Sequence, residues 1–151
     1  MCLAAAPPAS ITDYRCGYDC AFLTTSVFGV HINGLEIKPA ADLINANLEG
    51  ANLQRADLQK AHLKWAHLQR ANLQGANLKW ANLQEAHLEW ANLQGANLKE
   101  AHLKEADLWE AHLQGADLQN AYLEEADLRE AHLQRANLQR ANLQNANLWG
   151  A

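Results

Sequence analysis

The chain has 151 residues and a net charge of −5; 49% of its residues are apolar and only 7% are aromatic. That length suits one domain, and the mild acidity excludes a generally basic nucleic-acid surface. No apolar run approaches the roughly 20 residues that span a bilayer, and "MCLAAAPPAS" has no basic stretch ahead of its apolar one, so it does not read as a secretory signal.

In chain order, residues 1 to about 14, with Pro7 and Pro8, are expected to be loosely ordered. Cys2, Cys16 and Cys20 all fall in the first 20 residues. They form no disulfide framework, and a cytoplasmic location is expected. Cys16, Cys20 and His31 hint at a metal site, but the usual two-residue gap between cysteines is missing, so idle or buried thiols are the better reading and no metal is assigned. The stretch "CAFLT TSVFG VHING LEIKP" divides into four degenerate five-residue units with Phe22, Val27, Ile32 and Ile37 third in each. One irregular capping coil follows from that division, with Ala40 as a one-residue insertion. The competing reading is a hairpin through Asn33-Gly34. Two regions result: a capping segment over 1–40 and a repeat region over 41–151.

From Ala41 the chain is a succession of 22 five-residue units with alanine first and leucine third in each. The second residue is Asn in ten units, His in six, Asp in five and Tyr in one, Tyr122. Ala, Leu, Gln, Glu and Lys are strong helix formers, yet a five-residue step advances roughly 140° around a helix and would spread the leucines over every face. A flat strand fails as well, because an odd period sends successive leucines to opposite sides of the pleat. A chain that turns a corner once per unit points every leucine inward. Gly50, Gly75, Gly95, Gly115, Gly150, Asn45, Asn120 and Asn145 stand fifth in their units, where some corners would need positive φ.

Units such as "ADLQK", "ANLQG" and "ADLRE" resemble those of the pentapeptide-repeat proteins, a family abundant in cyanobacteria. The resemblance covers 41–151. It implies an all-β fold, a right-handed quadrilateral β-helix with four units per coil, hence about 5.5 regular coils behind the N-terminal cap. The histidines in second position depart from the family pattern and are expected to alter the surface rather than the fold.

Residues 20 apart then stack in outward columns. Gln54, Gln74, Gln94, Gln114 and Gln134 make an unbroken column, expected as a hydrogen-bonded amide ladder. His67 falls under His87, and His112 under His132. Glu85, Glu105 and Glu125 share one column, while Glu110 and Glu130 share another beside Asp107 and Asp127, giving an acidic patch; Arg55, Lys60, Lys64 and Arg70 lean the first coils basic. All five tryptophans, Trp65, Trp80, Trp90, Trp109 and Trp149, take outward positions that no core requires. Trp109, Arg129 and Trp149 share a column that would place a guanidinium between two indoles, with Trp90 in the adjacent column. These four residues are the candidate partner-binding group, because exposed Trp and Arg are enriched at binding hot spots.

No nucleophile, phosphate-loop or metal motif appears, so no catalytic residue and no cofactor are assigned. The leading expectation is a non-catalytic scaffold that binds a protein partner, with no direct contact to nucleic acid or membrane. The alternative is drawn from the resemblance: some family members mimic duplex DNA and bind or protect type II topoisomerases. The repeats here carry 14 acidic and ten basic residues, which weakens that case. An end coil exposing Leu143 and Leu148 suggests an end-to-end homodimer or a fragment of something longer.

Overall fold

The computed structural model describes residues 30–151. The first described element is an antiparallel hairpin: β1 (Val30–Ile32) pairs with β2 (Leu35–Ile37) in the register Val30–Ile37, His31–Glu36 and Ile32–Leu35. Asn33 and Gly34 turn it, both at positive φ (52° and 78°), as a two-residue hairpin turn requires. The hairpin reading therefore replaces the coil reading over 30–37. The reason is local: two consecutive residues tolerant of positive φ reverse the chain instead of turning one corner. Phe22, Val27 and the three cysteines lie outside the described residues. Ile37 is buried, and Ile32 and Leu35 pack on the leucines beyond them, so the hairpin still covers part of the core. Ala40 is not an insertion. It has φ 54° and donates its amide to the Gln59 carbonyl at 2.7 Å, which is what each fifth residue from Asn45 to Glu130 does toward the coil that follows.

The repeat region is built by repeating one bonding scheme, shown by the unit Ala91–Gly95. Asn92 N–H donates to Ala71 O of the preceding coil at 2.9 Å. Leu93 and Gly95 donate to His112 O and Gln114 O of the following coil at 2.8 and 3.0 Å. Ala96 N–H closes the corner onto Leu93 O at 3.0 Å, the bond of a β-turn with positive φ at its third residue. Only the second residues pair in register between coils, from Asp42–His62 through to Asp127–Asn147, always parallel and 20 residues apart. Each side of the square is thus a one-residue contact followed by a turn. Coils begin at Ala41, Ala61, Ala81, Ala101, Ala121 and Ala141.

Alanine and leucine fill the interior as the period predicts. From Ala61 to Ala126 every alanine and leucine of the repeat is at most 1% exposed, and the described core contains no polar side chain. Burial of one leucine is worth about 2 kcal/mol before ordering entropy is counted, so the leucine columns dominate cohesion. Cover thins in the last coil, where Leu133, Leu138 and Leu143 are half-buried and Leu148 is 41% exposed. No described helix is long and apolar enough to cross a membrane.

Two features differ from the sequence-based expectation. Positive φ is required at every fifth residue, not only at Gly and Asn: φ lies between 53° and 66° from Asn45 to Asn145, Trp, Glu, Arg and Lys included, and is 78° at Gly150. An L-residue there costs on the order of 1 kcal/mol, and the corner bond and the bond to the next coil hold it in place. The second position also does more than decorate the surface. In every Asn and Asp unit the side-chain Oδ1 accepts the amide of the fourth residue, as Asn92 does from Gln94 at 3.1 Å. Such Asx turns preform the corner. No His or Tyr unit makes this bond, since an imidazole offers no carbonyl at that reach. Stacking replaces it in part: His67 on His87, His112 on His132 and His102 on Tyr122, with ring centroids 5.2, 4.8 and 4.6 Å apart. His62 has neither. His62→Asn is expected to raise stability by roughly 0.5–1.5 kcal/mol, read as an increase in the denaturation midpoint; an unchanged or lower midpoint would contradict the role given to the second position.

Candidate functional site

With the interior filled by two apolar residue types, chemistry is confined to the second, fourth and fifth positions. The tryptophans at fifth positions (Trp65, Trp80 and Trp90) stand on left-handed corners, which aim them away from the rod, and they are between 37% and 41% exposed. Trp109, at a fourth position, is half-buried. Trp90 and Trp109 meet with ring centroids 4.7 Å apart and planes tilted by 60°, within the roughly 4.5–7 Å range of interacting aromatic pairs. Trp149 is further along the same side, 72% exposed. Together with Trp109, Glu110, Glu130 and His132 it lines a shallow depression.

Arg129 does not lie between indoles. Its Nε donates to both Asp127 oxygens at 2.8 Å and its Nη2 to Oδ2 at 2.6 Å. A forked, charge-assisted bond to a carboxylate two residues away is stronger than stacking on a ring, and that hydrogen bond holds the Asp127 carboxyl below its ordinary pKa. Cations do sit on other indoles, a feature missed in the sequence. Lys79 and Lys60 lie 3.9 and 5.4 Å from the Trp80 ring, Lys64 lies 4.1 Å from Trp65, and Arg70 lies 5.2 Å from Trp90. Two of these pairs, Lys60–Trp80 and Arg70–Trp90, are 20 apart at fifth positions, so column arithmetic was enough to find them.

The acidic column is interleaved with lysine. Lys64 Nζ is 3.3 Å from Glu85, and Lys104 Nζ is 3.2 Å from Glu105 and 3.9 Å from Glu125. The Trp65 indole hydrogen bond, with Lys64 beside it, lowers the Glu85 pKa. Glu110 and Glu130 have no cation within ion-pair distance among the described residues. The glutamine column forms a single rung, Gln54 Nε2 to Gln74 Oε1 at 2.9 Å, and Gln114 Oε1 is buried without a partner. A ladder does form on the next face, where Asn77 donates to Asp57 at 3.1 Å, Asn97 to Asn77 at 3.3 Å and Asn137 to Asp117 at 3.3 Å. The shorter amide is held at a fixed reach by its Asx turn, whereas glutamine has one more rotor. Among the described residues no group of three or more His, Cys, Asp or Glu has metal-site geometry.

Asp107, beside the tryptophan pair, is a half-buried carboxyl. Desolvation pushes its pKa up, the Trp109 amide counteracts this, and the Glu89 and Asp127 carboxylates reinforce it. A carboxyl whose folded pKa lies above its unfolded value opposes folding once ionised. The opposition is complete above the folded pKa and fades as pH falls through it toward the ordinary value of 3.8. Asp107→Asn keeps the acceptor for Trp109 N–H, now at 3.0 Å, and removes the charge. It is expected to melt at a higher temperature than the native chain at pH 7, with the gap closing as pH falls toward the ordinary carboxyl value. A constant gap across that range would contradict the desolvation account.

The comparisons with known proteins agree with this architecture. The family model "Pentapeptide repeats" matches residues 40–75, 71–109 and 111–150 in eight copies. No curated protein matches. Among solved structures, the chain is similar to HetL, a pentapeptide repeat protein involved in heterocyst differentiation regulation in the cyanobacterium Nostoc sp. strain PCC 7120. Identity is 39% over 72% of this chain and 58% of HetL, with a TM-score of 0.50. It is similar to Rfr23 of the cyanobacterium Cyanothece 51142 at 30% identity over 70% of this chain and 86% of that one, TM-score 0.60. QnrB1, a plasmid-mediated fluoroquinolone resistance protein, shares the fold at 21% identity over 75% of this chain and 63% of that one, TM-score 0.61. The chain thus spans little more than half of HetL. The four-sided coil is the right-handed β-helix of these relatives, and the chain belongs to the pentapeptide-repeat family.

Proposed function

We propose that this chain is a non-catalytic scaffold that binds a protein partner through the face carrying Trp90 and Trp109, in a regulatory role. One observation carries the reading: two large indoles in contact at 4.7 Å stand outside a core that needs neither. Around them are Arg70 over the Trp90 ring and the carboxylates of Glu110 and Glu130 at the depression. An aromatic centre with charged groups at its edge is the composition of a binding hot spot. The regulatory part leans on the likeness to HetL, which is involved in regulating heterocyst differentiation.

The topoisomerase reading asks for the charge density of duplex DNA, about one negative charge per 1.7 Å. Five coils at about 4.8 Å each would then need about 14 net charges. The repeats carry 14 acidic and ten basic residues, and Lys64 and Lys104 flank the glutamate column and pair with it. The likeness to QnrB1 extends to the fold alone.

The Trp90→Ala/Trp109→Ala variant leaves the leucine columns untouched, so it should fold with an unchanged β-type circular dichroism spectrum. It is expected to lose a protein captured by the native chain from a cell extract, with affinity down roughly tenfold or more. An identical set of captured proteins would remove the interaction reading.

A further inference from the structure

Cations from the chain itself cover three of the five tryptophans. Lys64 sits on Trp65, Lys60 and Lys79 on Trp80, and Arg70 on Trp90. Among the described residues, no cation sits on Trp109 or Trp149. These two indoles share a column and stand two coils apart, about 10 Å along the rod. The residue between them in that column is Arg129, whose guanidinium is turned aside onto Asp127. Both indoles, with Glu110, Glu130 and His132, line the shallow depression, whose volume is about 470 Å³. That is room for one long side chain and little more.

The charge of the depression is one-sided. Glu110 and Glu130 are half-buried neighbours in one corner column, and neither meets a cation among the described residues. The Glu130 carboxylate lies over Gly150, where a β-carbon would stand only 2.6 Å from it. The absent side chain therefore leaves room for that carboxylate at the Trp149 end. At the other end Trp109 touches Trp90, which already carries Arg70. Along this edge the order is thus cation, two indoles, acidic depression, indole. A second cation fits in the depression, because attraction to an indole extends to about 6 Å from its centroid.

The lining also selects among cations. A guanidinium is flat enough to stack on an indole while its edge donates to carboxylates, and it is weakly hydrated. An ammonium group has no flat face and holds its water more tightly. A quaternary ammonium has no donor for the two carboxylates. We propose that the depression takes the guanidinium of an arginine presented by a partner protein, stacked on an indole and hydrogen-bonded to Glu110 and Glu130. The proposal rests on the reading of the tryptophan face as an interaction surface and names the chemistry that it recognises.

Titration of the isotope-labelled full chain with the peptide acetyl-Gly-Arg-Gly-amide, followed by NMR through the indole N–H signals, tests the proposal. The Trp109 and Trp149 signals should shift saturably, with a Kd on the order of 1–10 mM for one side chain at an open site. Those of Trp65 and Trp80 should hardly move. The citrulline peptide, of the same shape without the charge, should not bind, and the lysine peptide should bind several-fold more weakly. Glu110→Gln/Glu130→Gln should weaken arginine binding roughly tenfold, and Trp149→Ala roughly threefold or more. None of these side chains belongs to the leucine core, so the variants should keep the native spectrum elsewhere. Glu85→Gln, on another corner, should leave binding unchanged. The proposal is overturned if no saturable shift appears up to about 50 mM peptide. Equal binding of the lysine or citrulline peptide overturns it too, as does binding indifferent to both the glutamine and the Trp149 variants. If the arginine peptide fails but Trp90→Ala/Trp109→Ala still loses a captured protein, the interaction reading stands and only guanidinium recognition falls.

Discussion

Everything in this molecule depends on closing a corner every five residues while the backbone amides on either side remain bonded. Within one unit the third and fifth amides donate forward to the next coil, the second donates back to the previous coil, and the first closes the turn. That leaves only the fourth amide to be satisfied, and the Asx side chain of the second residue takes it wherever that residue is Asn or Asp. Unmet backbone donors are costly when buried, so the five-residue period is a solution to an accounting problem as much as a packing pattern. The left-handed fifth residue is its main strain. It is accepted even by Trp65, Trp80 and Trp90 because loss of the corner would break bonds to two neighbouring coils.

The same constraint explains which parts of the fold were legible. Period five excluded helix and flat strand, and the inward placement of Ala and Leu followed directly. Columns 20 residues apart followed too, as the histidine stacks show. The hairpin at 30–37 was harder, because "VHING LEIKP" fits both a degenerate repeat and an alternating strand pair. Adjacent Asn33 and Gly34 decided it, both taking positive φ. Ala40 looked like an extra residue because alanine is not a turn former by composition; its place is set by its bond to Gln59.

The surface was legible by column but not by partner. Spacing placed Arg129 between Trp109 and Trp149, yet it is blind to rivals two residues away in the same unit, and Asp127 won. For the same reason the glutamate column looked purely acidic until the fourth-position lysines beside it were considered. Cation–indole pairs at fifth positions were missed although the arithmetic for them was available, as Lys60 and Trp80 show. The rod thus presents four unlike faces on one repeating frame. One face carries a glutamine column, another an amide ladder, and one alone carries touching indoles. A frame so regular lets surface identity vary with little consequence for the interior, which suits a binding scaffold.

Native-state hydrogen exchange, resolved by residue, tests the central claim most directly. Across the middle coils the account predicts slow exchange at the first, second, third and fifth residues of each unit. Fourth residues should divide by the second: Gln94 and Lys99, bonded to Asn92 and Asn97, should be protected, while Glu89 and Gln114, following His87 and His112, should exchange much faster. Protection that ran evenly along the chain, or that showed no difference between Asn and His units, would contradict it.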